Sequence, residues 1–277
     1  KSLAVQKGDH LLIRYDPGAR QLAQLIAYRA ALKGAEWQFF ATDPEIMAAG
    51  LAGAADSETP ADMGKLTVLE ESAIAWATKV SILRSNDFPD AMSIVPTKTL
   101  NKWGAAIKPA LDTRVDKRIW NVTYLPPKAE AEKDGIPFPN YVNMFFNAVE
   151  QDWDAIEAAQ DILINKILNP AKKLELFGGE KNDEKWRTHL TMSVEGQDFA
   201  NSTIKRNAPG SEVFSSPKRY TLTGRFALPY PVLFAGRVLP NLILDFKNGK
   251  VDNIDIESDN PDDLSWIKAI LDADEGA

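Results

Sequence analysis

Cysteine is absent from this chain of 277 residues, and histidine occurs only twice, as His10 and His189. Without cysteine, the chain cannot form disulfide bonds, thiolate zinc sites or a cysteine nucleophile. Two histidines do not make a multi-histidine metal site or a histidine-based triad of the usual form, and we expect both to be structural or surface residues. The lack of cysteine agrees with a reducing cytoplasm.

Long apolar runs and the common catalytic and nucleotide-binding motifs are also missing. No run approaches the roughly 20 residues that span a bilayer, and the first residues show no secretory signal pattern. G-x-G-x-x-G, the P-loop, H-E-x-x-H and G-x-S-x-G do not occur. The net charge of -7, with Lys and Arg scattered among acids, excludes a basic stripe for nucleic acid. We expect a cytoplasmic protein that binds neither nucleic acid nor membrane.

The length predicts two domains, because single domains usually hold roughly 50 to 200 residues. In the first part, a short apolar run at residues 10–14 predicts a strand, helical spacing follows over 22–32, and 36–40 predicts a second strand. Strand–helix–strand units indicate parallel strands. Residues 1–170 are therefore predicted to form an N-terminal open α/β domain, which ends at Asn169-Pro170.

The pattern changes after residue 170. Residues 173–177 and 188–194 alternate as strands do, and Asn248-Gly249 is the typical two-residue turn of a hairpin. A helix is predicted over 261–271, capped by Asn260. Residues 171–277 are predicted to form a β-rich α+β domain of catalytic type that is incomplete at its C-terminal end.

The carboxylates are the remaining candidates for chemistry. Asp259, Asp262 and Asp263 lie close together, but calcium-loop spacing is absent, so helix capping is the favoured interpretation. Glu212 follows a Pro209-Gly210 turn and precedes two apolar residues that can anchor it in a core. Taken by itself, it reads as an exposed loop glutamate, and one carboxylate does not make a metal site.

A resemblance over a longer stretch of sequence changes the interpretation of Glu212. The segment Asn207-Ala208-Pro209-Gly210-Ser211-Glu212-Val213-Phe214-Ser215-Ser216-Pro217 resembles the N-x-P-x-x-E-V-F-[ST]-x-P stretch of the aminopeptidase T, aminopeptidase S and PepS family. Residues 244–251 resemble the family's hairpin, and residues 274–277 its D-E-G-A element. The order and spacing of these segments agree over nearly the whole chain.

The resemblance implies a metal-dependent aminopeptidase that releases N-terminal residues from peptides. It implies that Glu212 ligates metal, that the complete protein holds two divalent ions such as zinc or cobalt, and that the protein is a homodimer. The substrate would be a peptide with a free N-terminus. Two departures are Thr188-His189-Leu190, where the family often has T-D-L, and Ser211, where it often has Glu.

The family's other metal ligands lie beyond the point at which this sequence stops. We therefore expect the 277 residues to lack a C-terminal part and to be inactive by themselves, and no catalytic residue can be assigned. The alternative hypothesis is a non-catalytic binding or assembly module that retains the aminopeptidase fold. A small-molecule or nucleotide binder on the α/β half rests on fold analogy alone.

Overall fold

The computed structural model describes residues 2–85, 87–88, 90–179, 183–234 and 237–271. They fall into two compact units, of which the first holds Lys1–Glu157 and Ser202–Glu212, and the second Ala158–Asn201 and Val213–Ala277. The chain thus returns to the first unit for the segment that contains Glu212. The domain limit predicted at residue 170 stays a prediction.

The elements up to the middle of the chain alternate between strands and helices. They are β1 (His10–Tyr15), α1 (Arg20–Leu32), β2 (Glu36–Ala41), α2 (Pro44–Asp56), α3 (Met63–Leu66), α4 (Val68–Trp76), β3 (Lys79–Ser85), α5 (Thr97–Lys117), β4 (Ile119–Leu125), α6 (Lys128–Lys133), α7 (Phe138–Val149) and α8 (Trp153–Leu163). Short 3-10 turns cover Pro17–Ala19 and Ala91–Ile94, and a π-helical turn covers Ile164–Leu168.

Strands dominate the rest of the described chain. They are β5 (Lys173–Gly178), β6 (Thr188–Ser193), β7 (Ala200–Thr203), β8 (Asn207–Ala208), β9 (Ser211–Phe214), β10 (Thr223–Leu228), β11 (Val232–Phe234), β12 (Arg237–Leu239), β13 (Leu242–Lys247) and β14 (Lys250–Asp255). Helix α9 (Asp262–Leu271) follows them. The predicted change from alternating α/β to mainly β structure is confirmed.

The first unit contains a parallel sheet with the strand order β2-β1-β3-β4-β8. The chain passes from β1 to β2 on one side and later to β3 on the other side, which is the doubly wound arrangement. Leu11, Leu12 and Ile13 of β1 are all fully buried. A central parallel strand needs such a continuous apolar run, because helices cover both of its faces.

Helices pack on both faces of this sheet. Side chains of α1 join one apolar cluster with Leu11 and Ile13, and side chains of α4 and α5 join another with Leu12. The predicted start of α2 is confirmed, since the Asp43 carboxylate accepts hydrogen bonds from the backbone N–H groups of Glu45 and Ile46 at 3.0 and 3.1 Å.

Helix α5 is longer than predicted. The sequence indicates a helix over residues 97–107, whereas the helix continues to Lys117 and contains Pro109 within it. A proline inside a helix removes one backbone hydrogen bond and normally ends or kinks the helix. Ile107 and Ala110 on either side of Pro109 are buried in the cluster that α5 forms with the sheet, and we attribute the helix's continuation to that packing.

The second unit contains an antiparallel sheet with the order β14-β13-β10-β6-β5. Its apolar side chains, including Leu242 and Leu244, pack with Ile267 of α9. The predicted hairpin between β13 and β14 is confirmed, because Asn248 and Gly249 have φ angles of 52° and 75°. Two positive φ values are what the tight type I′ turn requires. In the described residues, no helix has both the length and the apolar character needed to cross a membrane.

Candidate functional site

The segment that carries Glu212 begins as an edge strand of the first sheet. Asn207 and Ala208 form β8 and lie opposite Val122 and Thr123 of β4. The backbone N–H of Val122 also donates to the carbonyl of Arg206 at 2.7 Å. The start of the motif is therefore held by main-chain hydrogen bonds on a rigid sheet, a contact that the sequence does not predict.

Gly210 closes a tight turn between β8 and the strand of Glu212. A Cβ atom at position 210 would lie 2.6 Å from the carbonyl oxygen of Asn207, which is closer than side chains approach backbone. The Gly210 carbonyl in turn accepts a hydrogen bond from the N–H of Ile204 at 3.0 Å. The motif therefore needs glycine here for close backbone approach, and the turn sets the direction in which the next strand leaves.

Glu212 lies on β9, which pairs with β7 as a two-stranded sheet. Its side chain is exposed, and the carboxylate makes no hydrogen bond or ion pair with any residue that the structure describes. The two residues after Glu212 were expected to be buried in a core. Val213 is half-buried, but Phe214 is 56% exposed. The expected loop position is wrong, because backbone pairing makes this segment a strand.

A metal site cannot be assembled from the described residues. Among them, no group of three or more His, Asp or Glu side chains lies close enough to hold a metal ion. The D-E-G-A element at residues 274–277 lies outside the described residues. Usual catalytic sites supply three or more protein ligands, so a metal at Glu212 requires ligands in addition to those that the described residues bring together.

Both histidines lie in stacked aromatic contacts. The ring of His10 stacks on Trp76 at 4.9 Å, and its Nε2 lies 3.4 Å from the Glu36 carboxylate. The ring of His189 stacks on Phe177 at 4.4 Å. Each ring thus packs on an aromatic neighbour within its own unit, and the structural role expected for both histidines stays a prediction.

The acidic group near residue 260 caps a helix. The side-chain oxygen of Asn260 accepts from the N–H of Asp262 at 3.1 Å, as predicted. Asp263 is buried and accepts hydrogen bonds from the Ser258 hydroxyl at 2.6 Å and the Asn260 amide at 2.9 Å. Its oxygens are thus used within the protein at the start of α9, as the capping interpretation requires.

No sequence motif predicts the cavity of about 540 Å³ that opens in the first unit near the carboxyl ends of β1 and β2. Arg14 of β1 and Glu70 of α4 line it and form an ion pair. The one signal in the sequence is an arginine that directly follows the apolar run of a central strand, where a charge is costly unless it is paired.

The comparisons with known proteins agree with this fold. The chain is 24% identical over 303 residues to aminopeptidase AmpS of Bacillus subtilis (strain 168), covering 99% of this chain and 71% of AmpS. Among solved structures, wild-type AmpT from Thermus thermophilus matches with a TM-score of 0.72 and 20% identity over 99% of this chain and 72% of AmpT.

A second solved structure is more distant. The 2,5-dihydroxypyridine dioxygenase from Pseudomonas putida KT2440 matches with a TM-score of 0.51 and 9% identity, over 98% of this chain and 69% of that protein. At these identities, both solved structures support the fold alone. The sequence model of the thermophilic metalloprotease family, M29, matches residues 1–277. This chain therefore belongs to the thermophilic metalloprotease (M29) family.

Proposed function

We propose that this chain acts in a metal-dependent aminopeptidase, which removes residues from the free N-terminus of peptides, and that Glu212 is one of its metal ligands. The observation that carries the proposal is the M29 family match along residues 1–277. AmpS, which is similar over 99% of the chain, is named as an aminopeptidase, and this supports N-terminal cleavage.

The setting of Glu212 supports its role. The carboxylate is exposed and has no partner among the described residues, so no internal contact competes for its oxygens. The hydrogen bonds of β8 and the close approach at Gly210 restrain the backbone that leads to it. Carboxylate oxygens are suitable ligands for divalent cations. We propose that the active protein holds two such ions, zinc or cobalt. We also propose that the protein is located in the cytoplasm.

The test replaces Glu212 in the protein that contains this chain. With Glu212→Gln, we expect hydrolysis of leucyl-p-nitroanilide at limiting cobalt to fall by about 100-fold, because a neutral amide binds a divalent ion more weakly than a carboxylate. Glu58→Gln is the matched control, since Glu58 is an exposed glutamate outside any motif. The measurement is the rate as a function of cobalt or zinc concentration.

Two results would count against the proposal. Near-normal activity of Glu212→Ala at saturating metal would remove Glu212 from the metal site but leave the aminopeptidase assignment in place. If the wild-type protein hydrolyses no aminoacyl anilide or peptide with zinc, cobalt or manganese, the binding or assembly module would be the better description.

We also propose that the protein is a homodimer that uses an exposed apolar face of the first unit. We assign to this face Tyr28 and Leu32 of α1 and Trp37 and Phe39 of β2, whose exposures range from 41% to 64%. Trp37 and Phe39 lie on β2, an edge strand of the parallel sheet, and their rings are 6.3 Å apart. Soluble monomers rarely expose a large contiguous apolar patch, and a second copy would cover it.

Light scattering after size exclusion tests the dimer. We expect Phe39→Asp to weaken dimerisation by about tenfold or more, because the charge would have to be desolvated at the interface. Leu69→Asp is the control, since Leu69 is 74% exposed on α4, away from the apolar face. A wild-type mass of one chain at high micromolar concentration, or equal effects of both changes, would contradict the proposed interface.

A further inference from the structure

The cavity in the first unit lies where doubly wound sheets bind ligands. It has a volume of about 540 Å³ and opens beside the carboxyl ends of β1 and β2, next to the position where the strand order reverses. Ligand sites of open α/β sheets occur at this crevice, and the volume is within the usual range for small-molecule sites. A second cavity of about 290 Å³ shares Arg14, Thr42 and Glu70 with it.

Arg14 is a partly buried cation, and most of its hydrogen-bonding capacity is unused. Its side chain is 12% exposed and contacts the Glu70 carboxylate through one terminal nitrogen. No further hydrogen bond joins its guanidinium to the residues that the structure describes, although the group has five N–H donors. Burial lowers the pKa of Arg14 from its ordinary value, and Glu70 acts in the opposite direction. An added anion would satisfy the remaining donors.

Arg20 supplies a second cation to the same cavity. It begins α1, is exposed, and makes no ion pair with any described residue. Both oxygens of Asp16 accept hydrogen bonds, from Arg84 and from the N–H of Ser85, and Oδ1 of Asp43 caps α2. The described lining holds two guanidinium groups, Arg14 and Arg20, against the carboxylates of Glu70 and Asp43. The unused N–H donors of the two arginines outnumber the carboxylate oxygens that accept no hydrogen bond.

The other walls of the cavity are apolar. Side chains from the sheet, α2, α4 and α5 contribute to them: Leu12, Phe40, Ile46, Met47, Ala73 and Trp103. Apolar walls with a few convergent polar groups are typical of sites for small organic ligands. They favour a ligand that has an uncharged body of the size of a benzene ring attached to its anionic group.

The surrounding helix starts argue against a nucleotide phosphate. In nucleotide-binding sheets of this type, the phosphate binds the free N–H groups after the first strand. Here Pro17 has no N–H, the N–H of Gly18 donates to the Asp87 carboxylate at 3.0 Å, and that of Ala19 donates to the Asp16 carbonyl at 2.9 Å. Asp43 likewise occupies the start of α2. The charged donors that the lining offers an anion are therefore the guanidinium groups of Arg14 and Arg20.

We propose that this cavity binds a small carboxylate with an apolar body, whose carboxylate pairs with Arg14 and Arg20 and whose body lies between Phe40 and Trp103. Guanidinium and carboxylate match as planar, charge-assisted partners. The ligand is a simple organic acid or a free apolar amino acid, which share this chemistry. The site lies within the first unit and does not depend on the metal chemistry proposed for Glu212.

Isothermal titration of the 277-residue chain with phenylacetate tests the site. We expect a dissociation constant on the order of 1 mM or tighter, given the ligand's size. Phenylacetamide has the same shape without the charge and should bind about tenfold more weakly. Arg20→Gln should weaken phenylacetate binding by about tenfold and, because Arg20 is exposed, should leave folding unchanged. Arg29→Gln is the control, as an exposed arginine of the same helix outside this cavity.

L-phenylalanine in the same titration distinguishes the two sources of the carboxylate. Tighter binding of phenylalanine indicates a free amino acid, and tighter binding of phenylacetate indicates a simple organic acid; both results support the site. Absence of binding by either compound at 10-fold above the expected dissociation constant (about 10 mM) would overturn the proposal. Equal binding of phenylacetate and phenylacetamide, or equal binding by wild type and Arg20→Gln, would overturn it as well.

Discussion

The two sheets of this protein bury their strands in different ways. In the parallel sheet, β1 is buried on both faces, and the charged side chain of Lys79 beside it is also buried. In the antiparallel sheet, one face packs apolar side chains with α9, while the other carries a polar row in which Arg225 lies opposite both His189 and Asp245. Ion pairs of similar length should therefore contribute differently to the free energy of unfolding in the two units.

The largest expected effect is the loss of stability when a buried leucine of the parallel sheet is shortened. Leu12 of β1 is 1% exposed, so Leu12→Ala should lower the free energy of unfolding by about 2–5 kcal/mol through lost burial and a cavity. Leu176 of β5 is 51% exposed, and Leu176→Ala should cost less than about 1 kcal/mol. Urea unfolding followed by circular dichroism measures both. Equal losses would show that the difference between the sheets is not one of burial.

A smaller effect is expected from the shielded ion pair of Lys79 and Asp9. Lys79 Nζ lies 2.8 Å from Asp9 and also donates to the Ala4 carbonyl at 2.7 Å, with side chains only 7% and 13% exposed. Lys79→Met leaves the Asp9 carboxylate without its cation and should cost about 1–3 kcal/mol in urea unfolding. Adding Asp9→Asn should restore part of the loss.

The matching control for that pair lies in the second unit. Lys172 pairs with Glu195 at 3.2 Å, but both side chains are more than half exposed. Lys172→Met should therefore give no measurable loss of stability. A loss as large as that of Lys79→Met would contradict the assignment of the difference to solvent screening.

The smallest effect concerns the pH dependence of Asp245. The hydrogen bonds from Arg225, at 2.7 and 3.1 Å, lower the pKa of Asp245, whereas partial burial acts to raise it. A lowered pKa stabilises the fold above the ordinary pKa of an aspartate, and this contribution is lost as the pH falls through the lowered value. Arg225→Gln should raise the pKa of Asp245, as followed by carboxyl NMR titration.

Unfolding measured at several pH values tests the same prediction through the direction in which stability changes. The stability difference between wild type and Arg225→Gln should be present at neutral pH and should shrink in acid, where Asp245 is protonated in both proteins. Asn253→Ala, which removes a hydrogen bond of 3.3 Å to the same carboxylate, should raise the pKa less. A difference that is unchanged in acid would show that Arg225 acts through packing instead.

Most of the fold could be predicted from local sequence patterns. The apolar run at β1, the Asp43-Pro44 helix start and the Asn248-Gly249 hairpin each depend on neighbours in the sequence, and each is confirmed. The extension of α5 beyond residue 107 could not be predicted, because Pro109 locally opposes a helix and only packing against the sheet compensates. The two-residue strand β8 has no periodicity, and its partner β4 is distant in the sequence.

Of the candidate sites, Glu212 could be named from the sequence, because the motif that contains it resembles a family pattern. The exposed position of its carboxylate on β9, held by β8 and Gly210, came from the structure. The cavity of Arg14 had no comparable signal. Its lining comes from β1, β2, α2, α4 and α5, and no spacing along the chain reports that these side chains converge.

The sequence by itself determined the alternation of strands and helices in the first part, the start of α2 and the hairpin turn, because periodicity, capping and turn preferences act over a few residues. The M29 family followed from a pattern of motifs along the whole chain. Only the tertiary structure decided that residues 202–212 return to the first unit, that Glu212 stands on a paired strand, and that Arg14 and Arg20 face one cavity. These outcomes depend on burial and pairing between residues far apart in the chain, where each contact is chosen by the packing of the whole unit.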